Sequence, residues 1–173
     1  MNIQITHKTK TKDILPLLNA ENIERLLDAV PPFPLETSIF SMEIKRFADI
    51  LEDEQSFIES LLSEHKALKA FGRLKQYRSE INGFTSFLKQ YDFKETSEEQ
   101  QAKRGIQFPD MAMRMLTDVT RFFGLKSFDD AERMKVSDWL AVFQNDAASA
   151  LYQRKLNDIY KRKSDVKKKG GRR

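Results

Sequence analysis

The chain has 173 residues, no cysteine, and 30 basic against 26 acidic residues, which gives a formal net charge of +4. A composition of 40% hydrophobic and 32% charged residues with few glycines is typical of a globular helical protein. The lack of cysteine excludes disulfides, thiolate metal sites and a cysteine nucleophile.

The charge is unevenly distributed along the chain. Residues 161–173 contain eight basic residues and one acidic residue, so the rest of the chain carries 22 basic and 25 acidic residues. A mildly acidic globule with a basic tail favours nucleic acid or an acidic protein surface as the partner of that tail.

The first residues place Ile3 and Ile5 in alternation with polar residues, but no second apolar run lies nearby to pair with them. We therefore expect residues 1–11 to be extended or disordered. Its basic residues are not followed by the apolar run of a secretory signal, and no part of the chain approaches the roughly 20 apolar residues that a bilayer span needs. The sequence thus predicts a cytoplasmic protein without membrane contact.

Two short helices are predicted next, with Asn19 as the N-cap of the second. The run Pro31-Pro32-Phe33-Pro34 then ends helix formation, because proline lacks an amide hydrogen and drives the residue before it toward extended conformations.

Beyond this connector, apolar residues recur at intervals of three and four. They predict a long helix from Ser38 or Ser41 to about Phe71, with Gly72 as a break. A further amphipathic run continues to Tyr91, so the whole region is expected to form a helical hairpin or one bent helix.

The C-terminal part of the chain has clearer helix boundaries. Pro109 is placed as a first-turn proline, Gly124 as a C-terminal stop, and Ser127 and Ser137 as the N-caps of the last two helices. The apolar face of the first of these helices is expected to contain Met111, Met115, Leu116, Val119, Phe122 and Phe123.

Together these elements predict an all-α fold, an irregular bundle of about five to seven helices with a flexible basic tail. The expected units are an extended N-terminus (1–11), an N-terminal helical lobe (12–91), a polar linker (92–104), a C-terminal helical lobe (105–160) and the basic tail (161–173).

The basic tail is the strongest functional feature, since closely spaced cations displace counterions from phosphates. It contains no aromatic residue, so stacking on bases is not expected there. The residues predicted to bind nucleic acid or an acidic partner are Lys161, Arg162, Lys163, Lys167, Lys168, Lys169, Arg172 and Arg173.

Two further positions are candidates for a protein interface. Met113 lies nearly opposite Met111 and Met115 on a helix, so it is either exposed or buried against a partner. Phe33, within the proline-rich connector, is the second candidate.

No catalytic or metal-binding motif is present. His7 and His65 have no partner ligands at useful spacing, and the acidic clusters are explained as solvated faces and helix starts. Phosphate-binding loops, nucleophile elbows and kinase motifs are absent. We therefore expect a protein without enzymatic activity, catalytic residues, metal or cofactor.

Several strings in residues 105–160 resemble small helical proteins encoded among the virion-assembly genes of tailed bacteriophages and prophages. They are Gly105-Ile-Gln-Phe-Pro109, Arg114-Met-Leu-Thr-Asp118, Phe122-Phe-Gly-Leu-Lys-Ser-Phe128, Asp130-Ala-Glu132 and Leu151-Tyr-Gln-Arg154. These are packing and capping residues, so no functional residue is carried over. The resemblance implies a tail-assembly chaperone or a minor head or tail structural protein, located in the host cytoplasm during assembly or in the virion.

The sequence thus predicts a protein-interaction factor with a phage structural component as partner, and oligomerisation is left open. The alternative is a small nucleic-acid-binding accessory protein that acts through its basic tail. Deletion of residues 161–173 separates the two, because it removes binding only in the second case.

Overall fold

A computed structural model of the chain describes residues 5–6, 8–91, 100–101, 104–107 and 109–170, with the backbone alone for residues 20–21 and 164–170. The predicted all-α class is confirmed: the described residues form eight α-helices and two short 3₁₀ turns, Leu15–Leu17 and Ile39–Ser41. The helices are α1 (Thr11–Ile14), α2 (Ala20–Ala29), α3 (Ile44–Glu52), α4 (Glu54–Leu62), α5 (Ala67–Lys89), α6 (Met111–Phe123), α7 (Phe128–Glu132) and α8 (Val136–Gly170).

Three predicted helix boundaries are confirmed. The Asn19 side chain accepts a hydrogen bond of 2.8 Å from the Asn22 amide at the start of α2. Ser127 caps α7 by accepting from the Asp130 amide at 3.3 Å. Gly124 ends α6 with a φ of 63°, a left-handed conformation that glycine adopts at little cost.

Two other boundary predictions are wrong. Pro109 precedes the N-cap of α6, which is Asp110, so it does not occupy the first turn. Ser137 lies inside α8. The Asp138 carboxylate instead accepts a hydrogen bond of 3.0 Å from the Lys135 amide, just before that helix begins.

The single long helix predicted from Ser38 or Ser41 to Phe71 is also wrong, because the chain turns twice within it. At Asp53 the backbone leaves the helical region, and the side chain caps α4 by accepting from the Ser56 amide at 3.0 Å. Hydrogen bonds from Ser56 hold the pKa of Asp53 below its usual value. The second interruption, between α4 and α5, spans residues 63–66.

Gly72 does not break α5; it is the point where the proline-rich connector docks on that helix. The Phe33 amide donates to the Gly72 carbonyl at 3.0 Å. A Cβ on Gly72 would lie 2.8 Å from the Phe33 Cβ and 2.9 Å from the Pro31 carbonyl oxygen. Nearby, Lys75 Nζ donates to the Val30 carbonyl at 2.9 Å. The connector is therefore held on α5 by the Gly72 backbone and, just before it begins, by the Lys75 side chain.

Helices α3 and α8 are joined at their first residues. The Ile44 amide donates to the Met134 carbonyl at 2.8 Å, and the Val136 amide donates to the Met42 carbonyl at 2.9 Å. Amides in the first turn of a helix have no acceptor within the helix, so this reciprocal pair satisfies one of them on each side. The pairing fixes where α8 starts on the body, a name that we use for helices α1–α7 and their connections.

The same arrangement joins α1 to α5. The Thr11 amide donates to the His65 carbonyl at 3.1 Å, and the Ala67 amide donates to the Thr9 carbonyl at 3.0 Å. Each of the two pairs of hydrogen bonds, α3 with α8 and α1 with α5, forms an isolated antiparallel β-bridge. Within the described residues, these two bridges are the strand-like pairings.

Residues from both predicted lobes contribute to one hydrophobic core. Trp139 of α8 is fully buried, and its ring centroid lies 5.9 Å from that of Phe84 in α5. The largest fully buried side chains are Trp139, Tyr77, Phe47, Phe71, Ile39, Met42, Ile44, Met115, Val119, Val136 and Val142.

The predicted apolar face of α6 is only partly buried. Met115 and Val119 are fully buried, whereas Phe122 and Phe123 are 50% and 48% exposed and pack against each other at 5.1 Å. These two rings lie in the last turn of α6, at the edge of the body.

We predict that Gly72→Ala destabilises the fold by roughly 1–3 kcal/mol, because the new methyl group would overlap backbone and Cβ atoms of the connector. Gly83→Ala is the matched control in the same helix. There the nearest atom to a new Cβ is Phe40 Cζ at 3.9 Å, so the change should stabilise the helix by about 0.5–1 kcal/mol.

Urea unfolding of both variants measures these two free energies. Equal effects of the same sign at both glycines would contradict the docking of the connector on Gly72.

Candidate functional site

A cleft of about 600 Å³ opens where α8 leaves the body, between the end of α5, the outer side of α6 and the middle of α8. Its lining residues are Thr85, Leu88, Lys89, Tyr91, Met111, Arg114, Asp118, Arg121, Trp139, Phe143, Asp146, Ala147, Ala150 and Arg154.

The floor of the cleft is aromatic. Phe143 packs on Trp139 with ring centroids 5.3 Å apart and meets Tyr91 edge-to-face at 5.7 Å. Phe87, behind them, lies 6.4 Å from Phe143 and 5.3 Å from Tyr91. Because these rings are packed against each other and the core, they offer a pre-formed apolar surface.

Asp118 is the central polar residue of the site. Its carboxylate accepts a hydrogen bond of 3.1 Å from the indole Nε1 of Trp139 and lies 3.7 Å from Arg114 Nε and 3.8 Å from Arg121. The side chain is only 17% exposed. Asp118 therefore provides the acceptor for the only polar side-chain atom of the buried Trp139, and it also positions two arginines at the rim of the cleft.

The arginines of α6 are ordered by these contacts. The Arg114 guanidinium lies 5.3 Å from the centroid of the Phe143 ring, a cation–π geometry. Arg121 donates to Asp146 of α8 at 2.6 Å, which links α6 to α8 across the cleft. Both arginines remain more than half exposed, so their charged groups are accessible.

The lining carries four basic residues, Lys89, Arg114, Arg121 and Arg154, but only two acidic residues. An apolar floor with a net positive rim suits a ligand that is apolar on one side and acidic at its edges.

Beyond the cleft, α8 continues as an arm, which we define as residues 151–170. The whole helix has 35 residues and is therefore about 52 Å long. The described backbone stays helical through Gly170, past the boundary expected at Lys161. On this arm Tyr152 is 62% exposed and Ile159 48% exposed.

The predicted tail residues fall on this arm or beyond it. Lys161, Arg162 and Lys163 are exposed on the helix. Residues 167–169 are described by their helical backbone, and Arg172 and Arg173 lie outside the described residues.

The two predicted interface residues lie on other elements, and neither lines the cleft. Met113 is 44% exposed on α6. Phe33 is 40% exposed in the connector, with Lys69 Nζ 6.0 Å from its ring centroid. The structure therefore does not bring either residue into one site with the cleft.

Over the described part of the chain, no cluster of three or more potential metal ligands occurs. Among the same residues, no helix has both the length and the apolar character needed to cross a bilayer. His65 precedes α5, and His7 lies outside the described residues.

Comparison of the chain with protein-family models, with curated proteins and with solved structures gives no match. The candidate site therefore rests on the geometry of this chain.

The cleft was not predicted from the sequence. One signal was available in the sequence. Asp118 lies four residues after Arg114 and three residues before Arg121, and these spacings place ion-pairing side chains next to each other on a helix. The partners that complete the site, Trp139 and Asp146, are more than 20 residues further along the chain.

We predict that Asp118→Ala lowers the free energy of unfolding by roughly 1–3 kcal/mol, because it leaves the buried indole N–H of Trp139 without an acceptor. Asp118→Asn retains an acceptor oxygen and should cost about 1 kcal/mol or less. Trp139 is the only tryptophan, so its fluorescence reports both unfolding and the state of this hydrogen bond. A neutral effect of the alanine variant would contradict this role.

Proposed function

We propose that the protein is a non-enzymatic protein-interaction factor that holds an acidic, apolar segment of a partner protein in the cleft. The observation that carries this proposal is the pairing of an aromatic floor with a net basic rim. Amphipathic helices bind grooves of this kind through apolar anchors, while charges at the rim select the partner.

The setting that we propose is virion assembly of a tailed bacteriophage, with the chain as a tail-assembly chaperone or a minor head or tail structural protein. The resemblance of residues 105–160 supports this setting, and those residues include α6, α7 and most of α8. The partner is then a phage structural component met in the host cytoplasm.

Affinity purification of the tagged full-length chain from phage-infected or prophage-induced cells, after nuclease treatment, tests this function. We predict recovery of capsid, portal or tail proteins. Ala150→Trp should reduce that recovery at least tenfold, because Ala150 is exposed and lines the cleft, so an indole there would occupy it. Gln153→Trp is the control on the same helix, exposed but outside the cleft lining.

Loss of every partner on nuclease treatment would contradict the proposal. Equal recovery by the two tryptophan variants would place the protein contact away from the cleft.

The alternative function is nucleic-acid binding through the basic end of the chain. It is favoured by the helical continuation of α8, which holds Lys161, Arg162 and Lys163 exposed on a rod that extends from the body. Cations presented on such a rod can follow a phosphate backbone without sequence preference.

For this alternative, we predict that replacing Lys161, Arg162 and Lys163 by glutamate weakens binding to double-stranded DNA. It should also reduce the slope of log K against log salt concentration by roughly 2–3, at about 0.9 for each phosphate that the variant no longer neutralises. Fluorescence anisotropy across a salt series measures both quantities.

A control variant with glutamate at Lys8, Lys12 and Lys126 has the same change in net charge at exposed positions outside the arm. Equal reductions of affinity in the two variants would show that net charge, rather than the arm, governs binding.

A further inference from the structure

The outer side of α8, opposite the cleft, carries a continuous stripe of residues at intervals of three and four. Such spacing keeps side chains on one face of a helix and is typical of helix pairs. Each residue of the stripe is exposed except Leu156, which is half-buried. We call this face the outer stripe, and it contains Ala141, Asn145, Ala148, Tyr152, Leu156 and Ile159.

Residue size changes along the outer stripe. In the half of α8 that packs on the body, the stripe presents the small residues Ala141 and Ala148. In the arm it presents the large residues Tyr152 and Ile159, which are 62% and 48% exposed. A second α8 running in the opposite direction would set Tyr152 against Ala148 and Ile159 against Ala141. Each large side chain would then fill the space above an alanine.

Charge changes along the same helix. Residues 136–150 contain two aspartates and no lysine or arginine, whereas residues 151–163 contain five basic residues and one aspartate. Antiparallel pairing therefore places the basic half of one helix beside a half of the other helix that contains no lysine or arginine. In the register given by the alanines, the half-buried Asp138 lies at the same level along the helix pair as Arg162 of the other copy. Parallel pairing would instead bring two basic arms together.

The body leaves this face open. Helix α8 buries Val136, Trp139 and Val142 against the core, so the outer stripe points to solvent along the body as well as along the arm. We propose that two copies of the chain associate through their outer stripes, with the two α8 helices antiparallel. The contact from Ala141 to Ile159 spans about 27 Å of helix, and the arm of each copy lies over the body of the other.

This inference is independent of the proposed function, because the cleft and the outer stripe lie on opposite sides of α8. The occupant of the stripe is a second copy. On reversal, the alanines of one copy face the large side chains of the other, and each basic arm faces a helix half without basic residues. A helix of another protein, or no occupant, is an alternative outcome of the test.

Sedimentation equilibrium of the full-length chain over a range of concentrations tests the association. The wild-type chain should form a dimer, and Tyr152→Glu with Ile159→Glu should weaken it at least a hundredfold. The control Gln153→Glu with Asn157→Glu introduces the same charge at exposed positions of the same helix outside the stripe, and it should remain dimeric.

Ala148→Lys is a second disrupting variant in the other half of the helix, where a long charged side chain would hold the two helices apart. Its position is exposed, so circular dichroism should show an unchanged helical content. A wild-type chain that stays monomeric at all concentrations, or a dimer that both disrupting variants leave intact, would overturn the proposal.

Orientation is tested by cross-linking, which the absence of native cysteine makes specific. A mixture of Ala141→Cys and Ile159→Cys chains should give mainly mixed cross-linked dimers with a short bis-maleimide. Cross-links mainly between identical variants would show parallel helices and overturn the antiparallel arrangement.

Discussion

The direction of α8 depends on a reciprocal pair of backbone hydrogen bonds at its start. These bonds tie Val136 to Met42 and Ile44 to Met134, so α3 and α8 begin from one point. Burial of Trp139 then fixes the rotation of α8 about its own axis. With start and rotation both set, a helix of 35 residues must run past the end of the body. The cleft, the outer stripe and the basic arm are consequences of that geometry.

One helix thus presents three surfaces. Its inner side closes the cleft through Phe143 and Asp146, and Asp146 is paired with Arg121 of α6. Its outer side carries alanines on the body and large apolar residues on the arm. Its end carries the cations that dominate the charge of the chain. Partner binding, self-association and attraction to phosphate can therefore be altered separately by substitutions on α8.

The features predicted correctly from the sequence depend on local chemistry. Helical class follows from apolar spacing, and the caps at Asn19 and Ser127 follow from side chains that accept nearby amides. The errors arise where the local structure is determined by residues that are distant in the sequence. From its own residue type, Gly72 was expected to break the helix. It is instead a docking point, and that role depends on Phe33, 39 residues earlier. The pair of hydrogen bonds between α3 and the start of α8 uses backbone atoms alone. Such bonds do not depend on residue type, so the sequence could not predict them.

The most direct test of a continuous α8 is amide hydrogen exchange along this helix in the full-length chain, followed by mass spectrometry. The structure requires helical backbone on both sides of residue 150, and pairing of the outer stripes would add protection to the arm. Peptides covering residues 151–163 should therefore exchange much more slowly than an unstructured chain, and more slowly still as concentration rises. Exchange of these peptides at the rate of an unstructured chain, beside a protected 136–150, would show that the basic end is a flexible tail and would contradict a helix that continues into the arm.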